Sequence, residues 1–143
     1  MATFSHYDAG APDGWDRGSF FHPRFGRDVR GKLFLRERLE LSGMEVSLNR
    51  VEQGQGMPFL HRHRKHEELY LFLSGSGEFQ VDGECFPVSA GSAVRVSPEG
   101  VRAWRNTGAG PLVFVVVQAA AGGVDAGSID DGERVAGEVR WPV

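Results

Sequence analysis

The residues with the most chemical promise stand together in the stretch His61 to Gly75, which reads HRHRKHEELYLFLSG. His61 and His63 are two apart, so on an extended strand their imidazoles share a face. Glu68 comes after a short turn, on the next strand. Two imidazoles and a carboxylate that converge are a good donor set for a divalent metal such as Fe, Mn, Ni, Zn or Cu. They leave positions open for water or substrate. Without a metal, a histidine of the same set can act as acid and base. His66 reads as a solvated turn residue rather than a further ligand, and His6 and His22 as unrelated to the site.

Such a set needs strands to hold it, and the chain supplies the signals for them. KLFLRERLEL, from Lys32, reads as strand. MEVSLNRV puts Met44, Val46 and Leu48 on one face and Glu45, Ser47 and Asn49 on the other. In FQVDGECFPV, Asp82-Gly83 is a two-residue hairpin turn between strand formers. Ala90-Gly91, Pro98-Glu99-Gly100 and Gly108-Ala109-Gly110 mark turns between the later strands. LVFVVVQ, Leu112 to Gln118, is apolar on both faces and is expected to be buried on both. Twenty glycines and seven prolines, between short apolar runs, predict an all-β fold of roughly eight to ten strands. Residues 1–30 read as an irregular arm, 31–121 as the barrel, and 122–143 as a polar tail that docks back through Trp141.

Composition narrows the classes. The 143 residues suit one domain, and 41% hydrophobic content is enough for one core. A net charge of −3 gives no basic surface for nucleic acid. The single cysteine, Cys85, excludes an internal disulfide, fits a reducing compartment, and is expected to be buried or half-buried in a strand. The longest apolar run, Leu112 to Ala121, is too short for a bilayer and is broken by Gln118. The opening MATFSHYDAG has no signal-peptide pattern, so a cytoplasmic location is expected.

In this context the motif resembles the first signature of the cupin superfamily, G-x5-H-x-H-x3-4-E-x6-G. His61, His63, Glu68 and Gly75 fall on its positions. Only the leading glycine is off, with Gly54 one residue too far and Gly56 one too close. The second signature, G-x5-P-x-G-x2-H-x3-N, is similar to the run from Gly91 to Asn106. Its Pro-x-Gly is shifted by one residue to Pro98 and Gly100. Its histidine position holds Arg102, which has no lone pair to offer a metal.

The resemblance implies a cupin β-barrel, a jelly roll of two antiparallel sheets, commonly paired as a homodimer. It also implies a metal centre of three histidines and a glutamate, here reduced to His61, His63 and Glu68. Two arrangements stay open. The three ligands keep a divalent transition metal while Arg102 holds an anionic ligand, or Arg102 pairs with Glu68 in the cation's place. By strand parity Tyr70 and Trp104 join Arg102 as candidate ligand-binding residues, whereas Phe59 and Phe72 read as packing. Three functions fit the resemblance: a metal-dependent enzyme on a small anionic metabolite, a metal-free isomerase or epimerase like the sugar-phosphate-acting cupins, or a non-catalytic binding or sensory module.

Overall fold

The computed structural model describes residues 2–23, 25–124 and 130–142. Ten strands carry the fold: β1 (Ser19–His22), β2 (Arg27–Arg30), β3 (Lys32–Phe34), β4 (Met44–Val51), β5 (His66–Ser74), β6 (Ser76–Val81), β7 (Glu84–Ser89), β8 (Ala93–Val96), β9 (Arg102–Asn106) and β10 (Leu112–Ala120). They form a β1-β2 hairpin, a five-stranded sheet ordered β3-β4-β10-β5-β8, and a three-stranded sheet ordered β7-β6-β9. Every strand pair is antiparallel. The all-β architecture is the one the sequence predicts. Among the described residues, no helix is long and apolar enough to cross a membrane.

The two larger sheets face each other over one core. Tyr70, Phe72, Phe114 and Val116 from the first meet Phe79 and Val88 from the second, all nearly inaccessible. Tyr70 packs edge-on against Phe79 with ring centroids 4.8 Å apart. β10 lies between β4 and β5 and is covered on both faces, by the core over Phe114 and Val116 and by Trp15 over Val113 and Val115, as its unbroken apolar run requires. Asp82 and Gly83 both take positive φ, 50° and 87°, which is the twist a two-residue hairpin needs. The turn pins Val81 to Glu84.

Several expectations change. KLFLRERLEL is not one strand: β3 ends at Phe34, and a single helical turn, Arg36–Leu39, comes next. RERL is a run of good helix formers, which explains the switch. The arm is not irregular throughout. A 3-10 helix, Pro12–Arg17, seats Trp15 beside Leu48 and Val113 on the outside of the five-stranded sheet. The β1-β2 hairpin brings Phe20 against Phe34, centroids 5.1 Å apart. Trp141 does not dock: it is 82% exposed, and the described tail residues 130–142 are exposed throughout. One indole in a polar, glycine-rich tail buries too little to offset the ordering of the chain. Cys85 is exposed because it lies on the outer face of β7, an edge strand.

Candidate functional site

The site begins with an irregular extended segment, not a regular strand. Residues 56–63 run beside β9, bridged at Gly56–Arg105 and His61–Arg102. The His61 and Arg102 backbones exchange hydrogen bonds, N to O at 3.2 and 3.0 Å, and the His63 amide donates to the Pro98 carbonyl at 3.0 Å. Directly opposed residues of an antiparallel pair share a face, so this bridge sets the two side chains side by side. Glu68 enters from β5 on the face that also carries Tyr70 and Phe72. Thus His61, His63, Glu68 and Arg102 converge at one end of the barrel interior.

Arg102 is fully buried, 0% exposed, and Glu68 is 4% exposed. The guanidinium donates from Nε at 3.0 Å and Nη2 at 2.6 Å to Glu68 Oε1. Nη1 donates to the carbonyls of Gly100 at 2.6 Å and Pro98 at 3.4 Å. The Tyr70 hydroxyl donates to the same Glu68 oxygen at 2.9 Å. The pairing of Arg102 with Glu68, one of the two arrangements the sequence left open, is present here. The expectation that Arg102 orients a ligand is not met, because its donors are spent on protein acceptors and it does not line the neighbouring cavity. The physical reason is cost: a buried guanidinium without an anion beside it is too expensive to keep.

The imidazoles surround that pair. His63 Nε2 is 3.3 Å from Glu68 Oε1, and His61 Nε2 is 4.0 Å from it. His61 Nδ1 is buried without a hydrogen-bond partner. Burial, then the Arg102 charge, lowers the His61 pKa to about 4, so the ring is neutral at neutral pH. Burial raises the Glu68 carboxyl, but His63 and Arg102 beside it more than offset this and hold it at about 2. Burial, then the Glu68 charge, pushes the Tyr70 hydroxyl far up, so it keeps the proton it donates to Glu68.

His61, His63 and Glu68 each offer a ligand atom within 4.8 Å of the others, a group that could hold a metal ion. The imidazole nitrogens, with His61 neutral, fit that role. The carboxylate fits it poorly, since Oε1 already accepts three hydrogen bonds, two of them from a cation that would repel a divalent ion.

A cavity of about 310 Å³ opens onto this cluster. Tyr70 and Trp104 line it, as parity predicts, and so does Phe59. Phe72 is core instead. Residues that sequence reasoning did not assign to the site also line it, among them Phe20, His22, Lys32 and Gln118. His22 belongs to the site after all, stacked on Phe25 at 4.1 Å and set edge-on to Phe59 at 6.0 Å. His66 is exposed at the start of β5, its Nδ1 3.1 Å from Gln118 Oε1. Lys32 was detectable: it shares a strand face with Phe34, and the facing strand presents Ser47 and Asn49.

The titrations predict acid stability with a definite sign. Unfolded, His61 takes up a proton near 6.5; folded, not until about 4. Glu68 behaves likewise between 4.5 and about 2. In both windows the unfolded chain binds more protons, so stability falls as pH falls. We expect two successive limbs, the first from pH 6.5 to 4 and the second from 4.5 to 2, each on the order of 3 kcal/mol. Melting temperature against pH for the protein and for His61→Asn checks this. The variant should lose the first limb, and a flat wild-type profile between pH 6.5 and 4 would contradict it.

Comparison with known proteins agrees with the geometry. The family model described as a cupin domain matches residues 47–118. A crystal structure of a cupin protein from Bacteroides fragilis is similar at 28% identity and TM-score 0.77, over 95% of this chain and 100% of that one. A predicted oxalate decarboxylase from Thermotoga maritima is 27% identical, TM-score 0.50, over 52% of this chain and 64% of its own. A proposed sugar phosphate isomerase from Acidithiobacillus ferrooxidans is 25% identical, TM-score 0.57, over 62% and 57%. The chain therefore spans less than two thirds of the last two proteins. No curated protein matches the sequence.

Proposed function

The chain belongs to the cupin family, and from that premise we propose that its cavity binds a small anionic metabolite on which His63, backed by Glu68, transfers protons without a resident metal. The observation that carries this reading is the buried Arg102–Glu68 pair, in which Nε and Nη2 both donate to one carboxylate oxygen. It satisfies the carboxylate's charge from inside the protein, where a metal would otherwise do so. Glu68 stays ionised across the neutral range and positions the His63 ring, whose side chain is 28% exposed and faces the cavity. An imidazole fixed by a carboxylate and open to a ligand is suited to moving a proton at a carbon next to a carbonyl. The likeness to a proposed sugar phosphate isomerase agrees with that class of step.

The test is elemental analysis of tag-free protein together with proton NMR in D2O on pyruvate, phenylpyruvate and ribose 5-phosphate. The expected result is well under one equivalent of metal, C–H exchange on at least one substrate that survives EDTA, and loss of exchange in His63→Asn. Stoichiometric metal, or exchange that EDTA abolishes, would sink the metal-free reading. No exchange on any of the three would remove the catalytic half.

The donor group itself favours a second reading. His61, His63 and Glu68 would then hold a divalent ion, which acts as a Lewis acid when bound. A homodimer belongs with either reading, supported by Leu69 and Leu73, which stand exposed on β5. A cytoplasmic location is supported by the single free cysteine.

A further inference from the structure

With Arg102 spent on Glu68, the interior of the cavity holds one other cation among the described residues, Lys32, from β3. Its Nζ donates to Ser47 Oγ at 3.1 Å and to Asn49 Oδ1 at 3.0 Å, both neutral acceptors. Those two bonds orient the ammonium and use two of its three N–H groups. Neither partner carries a charge to match it. Ser47 and Asn49 are themselves 3% and 2% exposed, an unusual pair of polar residues for the inner face of a central strand. Asn49 is held in turn, its amide donating to the Ser47 carbonyl at 3.0 Å. The platform beneath Lys32 is therefore built and rigid.

Around the ammonium the walls are aromatic: Phe34, whose ring centroid is 5.3 Å from Nζ, together with Phe20, Phe59 and Trp104. Flat apolar walls favour a flat apolar body, and a lone cation within them favours an anionic end. Resting on the reading that this cavity binds a small anion, we propose that Lys32 is its anchor and that the ligand is a small carboxylate on an aromatic or otherwise planar body.

Burial keeps the cost of the unmatched charge high, lowering the Lys32 pKa to about 8 against the raising effect of Glu68. An incoming carboxylate relieves that cost, which a neutral ligand of the same shape cannot do. Arg62 also reaches the cavity, but it is exposed at the rim, where solvent screens it.

The experiment is isothermal titration of benzoate and of benzamide, its uncharged isostere, into the protein and into Lys32→Met, Lys32→Arg and Arg62→Ala. Each variant is first shown to melt cooperatively. Benzoate is expected to bind at least about tenfold more tightly than benzamide. Lys32→Met should remove that preference by weakening benzoate far more than benzamide, Lys32→Arg should keep part of it, and Arg62→Ala should cost less than about threefold. Equal affinity for the two probes, an unchanged preference in Lys32→Met, or a full loss in Arg62→Ala would each overturn the assignment while leaving the proton-transfer reading intact. Binding of neither probe would also overturn it. In that event, exchange on ribose 5-phosphate alone would show that the site works on another class of anion.

Discussion

Arg102→Met is expected to destabilise the protein by about 3–5 kcal/mol, the cost of leaving one charge of a buried pair without its partner. Methionine fills much of the volume but donates nothing to Glu68, which then sits ionised and 4% exposed with only Tyr70 and the imidazoles near it. The Gly100 and Pro98 carbonyls lose their donor as well. Against a total stability of about 5–15 kcal/mol for a domain of this kind, that is a large share of what holds the fold. Adding Glu68→Leu to it should restore part of the loss, because the double variant removes both charges rather than stranding one. Urea unfolding of the wild type, Arg102→Met, Glu68→Leu and the double variant measures this. A loss below about 1 kcal/mol in Arg102→Met, or a double variant as unstable as the sum of its parts, would show that the pair does not hold the site together.

Arg102→His is expected to do the opposite for metals, tightening divalent binding at least about tenfold. The His61–Arg102 backbone bridge fixes where a side chain at position 102 starts. An imidazole there stands beside His61 on the same face and adds a fourth donor to the set of two imidazoles and a carboxylate. It also frees Glu68 Oε1 from the guanidinium and removes a positive charge. A unit charge about 5 Å from another is worth about 3 kcal/mol at an effective dielectric near 20, and a divalent ion doubles that. Tenfold corresponds to about 1.4 kcal/mol, so the expectation holds even if most of the gain is lost to a looser fit. Titration of Mn and Zn into both proteins reads it directly. Equal or weaker binding in Arg102→His would mean that the guanidinium is not what limits the metal.

Both expectations turn on one residue whose meaning the sequence half disclosed. The spacing from Gly91 to position 102 placed an arginine where a metal ligand is expected, and the chemistry of guanidinium said it could not ligate. Whether it would face a ligand or Glu68 depends on which acceptors lie within its reach. That is set by the His61–Arg102 bridge and by Gly100 and Pro98, contacts made across strands and around a turn.

The strands themselves were legible because their signals are local. Asp82-Gly83 dictates a hairpin through its own φ angles, and LVFVVVQ can be stable only when covered on both faces. Alternation in β4 was equally clear, but which face turns inward was not. The polar face carrying Ser47 and Asn49 points in, while Met44 is 44% exposed. Alternation fixes only that two faces differ. The choice between them is made by what packs above and below: Lys32 on the inside, and Trp15 with Leu33 and Leu35 on the outside.

For the same reason the arm and the tail exchanged roles. Trp15 and Trp141 are each a single indole in a terminal segment. Only Trp15 has an apolar sheet face, beside Leu48 and Val113, close enough to offset its ordering. The sequence by itself thus determined the barrel, its turns and the convergence of His61, His63 and Glu68, because each rests on spacing along one or two strands. The tertiary structure alone decided that Arg102 neutralises Glu68 and that Lys32 faces the cavity, because a buried charge takes its role from partners far away in the chain.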